Sequence, residues 1–277
     1  MIRSFREKGM VIIPELLNGE QVNRLRAAMV SILDGTSPGV PDKKPKRLKA
    51  GVLESFMGEN ERQVGGKTVQ IINTWKAHPA FREVILDEKL GKIVAELGGW
   101  RGCRVGNDQV WAKPPGSGAL NYHRDSSYFD FSPSDVITAW IALDDMDSPK
   151  IGSLEYAVGS HKWADDDFDS GGVNGKPKKF FESDNLLRRA ADNAGVDEID
   201  IVRVSVKAGG CSIHDGRTFH GSGANETRRP RRGLGIHFIP ADAKFRPESR
   251  KTFASRFKVE GSLDLPNEHF PLTYVCE

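Results

Sequence analysis

The sequence predicts a mainly β protein, a sandwich or barrel, with supporting helices near the N-terminus. Three observations predict it. From about residue 100 onward, short runs of strand-forming residues recur between Gly, Pro and Asp punctuation, the pattern of many short strands joined by turns. Before that point, apolar residues fall at helical spacing instead. The length, 277 residues, suits one large β domain or two ordinary ones with a sizeable core.

Taken in order, Asn18 is placed to cap a helix carrying Val22, Leu25, Met29 and Ile32. The stretch SPGVPDKKPKRLK (37–49) is polar, basic and proline-bearing; it reads as a solvated connector, with a lid over an anionic substrate as the sharper reading. A second helix is expected to begin near Pro79, a residue tolerated in a first turn. It would run through Phe81, Val84, Ile85, Leu90, Ile93, Val94 and Leu97 and stop at Gly98-Gly99. The strand runs follow: RVGNDQVWAK, NYHRDSSYF, VITAWIALDD, SLEYAVGS, VRVSVKAG, CSIHDG and GLGIHFIP. Residues 164–198 interrupt them with a charged, Gly-rich insertion holding one helix, NLLRRAADNAG. That insertion reads as surface decoration, or as a cover that shapes access to a barrel mouth.

Composition excludes several classes. Lys and Arg number 40 against 38 Asp and Glu, without the basic excess of a general nucleic-acid binder. No run approaches the length of a membrane span, and the apolar patch of MIRSFREKGMVIIPELL is too short for a signal peptide. Cys103, Cys211 and Cys276 form no CxxC pair and are expected to be reduced, buried or inert, consistent with a cytoplasmic protein. There is no P-loop, no HExxH and no Gly-rich dinucleotide fingerprint after a strand.

The chemistry concentrates in His123-Arg124-Asp125 and, far downstream, His220. On a strand, positions i and i+2 share a face, so His123 and Asp125 would aim at one ion while Arg124 points away. Alone, such a triplet is more often a surface ion pair than a metal site. A second histidine from a distant strand changes that: two imidazoles and one carboxylate on one face of a metal leave the other face open, as in non-haem Fe(II) oxygenases. His220 opens TFHGSGANETRRPRRGLGIHF, and hairpin-like chemistry in that loop would return Arg231 alongside it. A guanidinium there suits the distal carboxylate of a 2-oxo acid. Arg228, Arg229 and Arg232 compete for the part; spacing favours Arg231, with Arg232 pointing outward.

These motifs resemble the phytanoyl-CoA dioxygenase family of Fe(II)/2-oxoglutarate oxygenases. The resemblance starts at FREKGMVIIPELLNGEQVNRLR. It continues through AKPPGSG, YHRDSSYF, SPSD, TAWIALDD, IGSLEYAVGSHK and HGSGAN to the arginine and its strand. It implies a single domain over 1–277, a double-stranded β-helix (jelly-roll, cupin-like) core over about 100–245, and helical support mainly over 1–100. It also implies that His123, Asp125 and His220 are the catalytic iron ligands, that Arg231 binds 2-oxoglutarate, and that Gln109, Trp140 and Ser222 contact that co-substrate. Asp125 stands where family halogenases carry a small residue, which favours oxygen insertion. Residues 147–151 read DSPKI where relatives often have Asn-Gly, so only Gly152 is retained there.

Other histidines are expected to support. His214 has a structural role or touches a ligand from behind; His161 is structural; His237 is a satisfied core residue or lines the pocket; His78 and His269 lie at the surface. The expected activity is hydroxylation of an unactivated C–H bond of a small organic substrate. Dioxygen and 2-oxoglutarate are consumed, and succinate and CO2 are released; the cofactor does the hard chemistry. Basic residues in 43–49 and Arg188, Arg189 and Arg203 favour an anionic substrate such as a 2-aminoethylphosphonate-like compound or an amino acid. An acyl-CoA or a secondary metabolite comes next. The same ligands would serve an epimerase or desaturase, and a non-enzymatic metal-binding barrel is the reading from another class. Neither nucleic acid nor membrane is an expected partner.

Overall fold

The structure is a computed structural model that describes residues 1–40, 68–164, 186–247 and 253–276. Most of the basic 37–49 segment and residues 165–185 of the insertion lie outside the described residues. The helices are α1 (Ile2–Lys8), α2 (Gly19–Asp34), α3 (Thr74–Ala77), α4 (Pro79–Ile85), α5 (Glu88–Gly98) and α6 (Leu186–Asn193). The first strands are β1 (Met10–Ile13), β2 (Val69–Ile72), β3 (Gly102–Lys113), β4 (Leu120–His123), β5 (Phe131–Ser132), β6 (Ile137–Ala142) and β7 (Leu154–Ala157). They are followed by β8 (Ile201–Arg203), β9 (Cys211–Asp215), β10 (His220–Ser222), β11 (Arg231–Pro240), β12 (Lys244–Phe245) and β13 (Leu272–Val275).

Among the described residues, seven strands form one antiparallel sheet in the order β1-β9-β6-β11-β3-β13, with β2 sharing the outer edge of β3 beside β13. Four form a second, β4-β10-β7-β8. The chain alternates between the two sheets, and β11 carries the longest pairing, with β3 over Arg231↔Lys113 to Pro240↔Cys103. This is the expected double-stranded β-helix.

Strand alternation decides what each face does. On the large sheet Val69, Ile71, Val110, Ala112, Ile137, Ala139, Ile141, Ile213, Leu234, Ile236 and Phe238 point outward. They form one core with Val22, Leu25 and Met29 of α2, Phe81 and Ile85 of α4, and Leu90, Val94 and Leu97 of α5. Alternate positions of the same strands carry Gln109, Lys113, Thr138, Trp140, Ser212, His214, Arg231 and His237, all polar or amphipathic. These face the small sheet: Trp140 packs with Leu154 and Tyr156 of β7, and Lys113 reaches Ser222 of β10. The helices therefore bury the apolar face and leave a polar interior between the sheets. The α6 helix docks Leu186 and Ala190 against Ala157 and Phe219.

Local rules place the helices. Asn18 caps α2 as expected: its Oδ1 accepts from Gln21 N at 2.9 Å and Gln21 Oε1 accepts from Asn18 N at 3.0 Å, a reciprocal capping box. The single helix expected from Pro79 to Gly98 is two. The apolar positions step from Ile85 to Leu90 across Asp87, Glu88 and Lys89, and there Asp87 takes an extended backbone and its Oδ1 accepts from Leu90 N at 2.8 Å, starting α5 afresh. Cys103 and Cys211 are buried, as expected; Cys276, near the chain end, is exposed. No helix among the described residues is long and apolar enough to cross a membrane.

Candidate metal centre and anion corner

His123 closes β4, Asp125 opens a 3₁₀ turn (Asp125–Tyr128), and His220 opens β10. His220 pairs with His123 in register, so folding alone sets the imidazoles side by side, ring centroids 4.2 Å apart. The strand ends two residues short of Asp125, which the sequence pattern puts on it, yet the alternation survives. Arg124 is extended and turns away, its guanidinium over the Phe219 ring at 4.4 Å and bonded to the carbonyls of Ser160, Trp163 and Ala164. One ligand atom each from His123, Asp125 and His220 lies within 4.8 Å of the others. Asp125 Oδ1 is 3.7 Å from His123 Nε2 and 3.5 Å from His220 Nε2.

Backbone carbonyls choose the tautomers. His123 Nδ1 sits 2.9 Å from Asn121 O and His220 Nδ1 3.0 Å from Thr218 O. Each Nδ1 therefore carries the proton and donates it, which leaves both Nε2 lone pairs facing the site. Burial pushes both histidines down to about 4, so the rings are neutral at physiological pH. Burial alone would raise the Asp125 carboxyl; His220, His237 and the bond from His214 outweigh it and hold it well below its ordinary value. Two neutral imidazoles and a carboxylate make a donor set for a divalent transition metal.

A second cluster lies at the start of β11. Arg231 is 1% exposed, its guanidinium 5.0 Å from the Trp140 ring, and neither its Nε nor its Nη2 has a hydrogen-bond partner among the described residues. Burial lowers it only to about 10, so it keeps its charge. Gly233, the next residue on that face, makes room for the ring: a Cβ there would meet Trp140 Cζ2 at 2.4 Å. Lys113, opposite Arg231 in register, is also fully buried and donates to Ser222 Oγ at 2.8 Å and to Gly223 O. Burial, with Arg231 adding to it, pushes Lys113 down to about 6. Two buried basic groups, with no carboxylate bonded to either among the described residues, make a corner that calls for an anion. Arg232 points outward as expected and forms a fork on Asp144 at 2.7 and 2.8 Å.

The loop that was expected to return Arg231 beside His220 as in a hairpin does something else. Strands β10 and β11 belong to different sheets, because the loop crosses the sandwich. Asn225 anchors that crossing, its Nδ2 donating to Lys113 O and Arg229 O at 2.8 Å each. Gly152 holds the neighbouring turn at φ +70°, where a Cβ would strike Gly223 O at 2.6 Å. Arg231 meets His220's strand across the interior, through Lys113 and Ser222.

Of the residues expected at the co-substrate, Arg231, Trp140 and Ser222 share this corner. Gln109 lies next along the same inward face, across Gly235 from Trp140 and toward His237: it accepts from Gln70 Nε2 at 2.5 Å and its Nε2 lies 2.7 Å from His237 Nε2. His214 donates to Asp125 and His237 lines the interior. His161 meets Arg6 O at 3.1 Å. His78 and His269 are not plain surface residues: His78 caps α4 by accepting from Ala80 N at 3.1 Å, and His269 stacks on Phe257 at 4.1 Å. Sequence reasoning missed Lys113 and Thr138. The signal for Lys113 was its place on the same strand face as Gln109, masked by the ordinary exposure of lysine. Two of the arginines invoked for an anionic substrate are engaged, Arg188 with Asp192 and Arg203 with Glu155.

The fold is a double-stranded β-helix, and the family match that follows makes the chain a dioxygenase, an oxidoreductase. Residues 5–233 match the model of the phytanoyl-CoA dioxygenase (PhyH) family, and the chain belongs to that family. It is similar to Dioxygenase FrzG of Cladobotryum sp, 25% identical, the match covering 86% of this chain and 73% of that one. It is also similar to the probable alpha-ketoglutarate-dependent hypophosphite dioxygenase of Stutzerimonas stutzeri, at 24% identity over 87% and 78%. Among solved structures, the non-heme alpha ketoglutarate dependent carbocyclase SnoK from nogalamycin biosynthesis superposes with a TM-score of 0.71, 26% identical, over 98% of this chain and 94% of that one.

Proposed function

We propose that this chain is an Fe(II)- and 2-oxoglutarate-dependent dioxygenase that hydroxylates a C–H bond of a small organic substrate. The observation that carries it is the pairing of a neutral two-histidine, one-carboxylate set with a buried Arg231 guanidinium whose Nε and Nη2 lack a partner among the described residues. The residues fit both groups. Nε2 of His123, Nε2 of His220 and Oδ1 of Asp125 would hold the iron, and Arg231 with the Ser222 hydroxyl would hold the distal carboxylate of 2-oxoglutarate. When bound, iron and 2-oxoglutarate supply dioxygen activation coupled to decarboxylation, which yields succinate and CO2.

The chain's own part is placement and exclusion of water. Ser222 Oγ accepts from Lys113, so its proton is free to go to a carboxylate. Trp140 covers one face of the guanidinium and keeps it dry, which strengthens a bidentate pair. Asp125, retained where a halide would need space, supports hydroxylation. Small anions come first as substrates because one relative is named for hypophosphite, a phosphorus oxyanion.

Anaerobic addition of Fe(II) and 2-oxoglutarate is expected to give a visible charge-transfer band that Asp125→Ala and Arg231→Ala lack. A folded, iron-loaded chain without the band overturns the reading. Succinate release is then measured across 2-aminoethylphosphonate, free amino acids, acyl-CoA thioesters and polyketide-like metabolites. Product analysis in the same screen separates hydroxylation from epimerisation, desaturation or the ring closure for which SnoK is named.

A further inference from the structure

Asp125 lies among four histidines, His123, His214, His220 and His237, and its two oxygens have different surroundings. Oδ1 faces His123 and His220. Oδ2 faces the large sheet, where Thr138 Oγ1 is at 2.7 Å, His214 Nε2 at 3.0 Å and His237 Nδ1 at 3.5 Å. A carboxylate only accepts, so every link that ends on it has a fixed direction.

Two chains of hydrogen bonds follow from that direction. Thr138 gives its proton to Oδ2, so its oxygen must accept, and the donor is His237 Nδ1 at 2.8 Å. Gln109 Oε1 accepts from Gln70 Nε2, so Gln109 turns its Nε2 donor toward His237, whose Nε2 must accept and is bare. On the other side His214 donates from Nε2. Its Nδ1 is therefore bare and accepts from the Tyr156 hydroxyl at 3.0 Å, whose oxygen accepts from Ser212 Oγ at 2.8 Å. All seven partners sit on strands of the two sheets, so both chains are held by the frame.

We propose that Thr138 and His214 are positioning residues that hold Asp125 Oδ2, so that Oδ1 alone is offered to the metal, and that they set opposite tautomers on the two non-ligand histidines: Nε2–H on His214 and Nδ1–H on His237. The proposal rests on the reading of His123, Asp125 and His220 as a metal site, but its tautomer half is measurable without metal.

The test uses Thr138→Val, which keeps the shape and removes the hydroxyl, and Thr138→Ser, which restores the hydroxyl. Competition titration with Co(II) and the Co(II) visible spectrum report on the ligand set. Nitrogen-15 NMR of the histidine rings in the metal-free protein reports the tautomers. Removing a partner behind a ligand weakens metal binding by roughly ten- to a hundredfold in such sites, so Thr138→Val is expected to fall in that range, with a shifted Co(II) spectrum, and Thr138→Ser to stay near the parent. A Thr138→Val protein with parent affinity and spectrum overturns the proposal, as does a wild-type spectrum with Nδ1–H on His214 or Nε2–H on His237. If Thr138→Val does not fold, the wild-type tautomers and the Thr138→Ser titration decide. A wild-type chain that shows the expected tautomers and binds no Co(II) overturns the metal reading instead, together with the Oδ1 half of the proposal.

Discussion

Arg231 is the residue at which function and stability pull apart. A buried guanidinium with two unpartnered nitrogens is costly in the anion-free protein, since burying an unpaired charge opposes folding. Arg231→Met is therefore expected to melt no earlier than wild type without ligand, while 2-oxoglutarate raises the melting temperature of wild type and leaves the variant unmoved; thermal scans with and without the co-substrate check both. Lys113 beside it carries a pH signature. Its folded value, about 6, lies below the ordinary lysine value of 10.5. Between the two the unfolded chain binds the extra proton, so stability from this residue rises with pH across that window and falls as pH drops toward 6. An arriving carboxylate reverses the bias and draws a proton onto Nζ. Calorimetry of 2-oxoglutarate binding at neutral pH, in buffers of different ionisation enthalpy, is expected to show proton uptake that Lys113→Met abolishes. Nothing in the sequence announces either effect, because both depend on burial; the candidate ligand set and the candidate anion-binding Arg231 are legible from HRD, HGSGAN and the arginine that opens a strand run.

At the scale of the element, strand parity assigns each residue to chemistry or to the core. Ile236 points outward into the helix-packed core and is fully buried, whereas its neighbour Gly235 points inward, where a Cβ would meet only Gln109 and Trp140, at 3.8 Å or more. Ile236→Ala is expected to cost about 2–5 kcal/mol by creating a core cavity, and Gly235→Ala to leave the denaturation midpoint within about 1 kcal/mol of wild type; chemical denaturation measures both. Strand and helix identities were largely legible because periodicity reports which face is apolar. The division between α4 and α5 was passed over, although the five-residue step from Ile85 to Leu90 and the capping residue Asp87 mark it. The crossing from β10 to β11 was not legible: turn residues specify that a chain reverses, and which sheet receives it depends on Asn225 and the far end of β3.

At the scale of the whole molecule, the candidate metal ligands come from the small sheet and its following turn, while Arg231 and Lys113 come from the large one. A metal alone would engage one side. A co-substrate held by both would join the sheets, and a ligand that binds only the folded state stabilises it in proportion to its affinity. Co(II) and 2-oxoglutarate together are expected to raise the melting temperature by more than the sum of their separate shifts; additive shifts in a thermal scan would show that the two sites are independent.

The outward apolar face and the inward polar face of β3, β6, β9 and β11 have a consequence for how such a protein can change. Along one strand, odd and even positions answer to different demands, one to the helices behind and the other to the molecule being oxidised. A lineage can therefore rewrite every second residue in search of a new substrate while the intervening residues keep the domain folded. Diversity of reaction within a constant architecture is what that arrangement permits, and it predicts that naturally tolerated variation will follow a period of two.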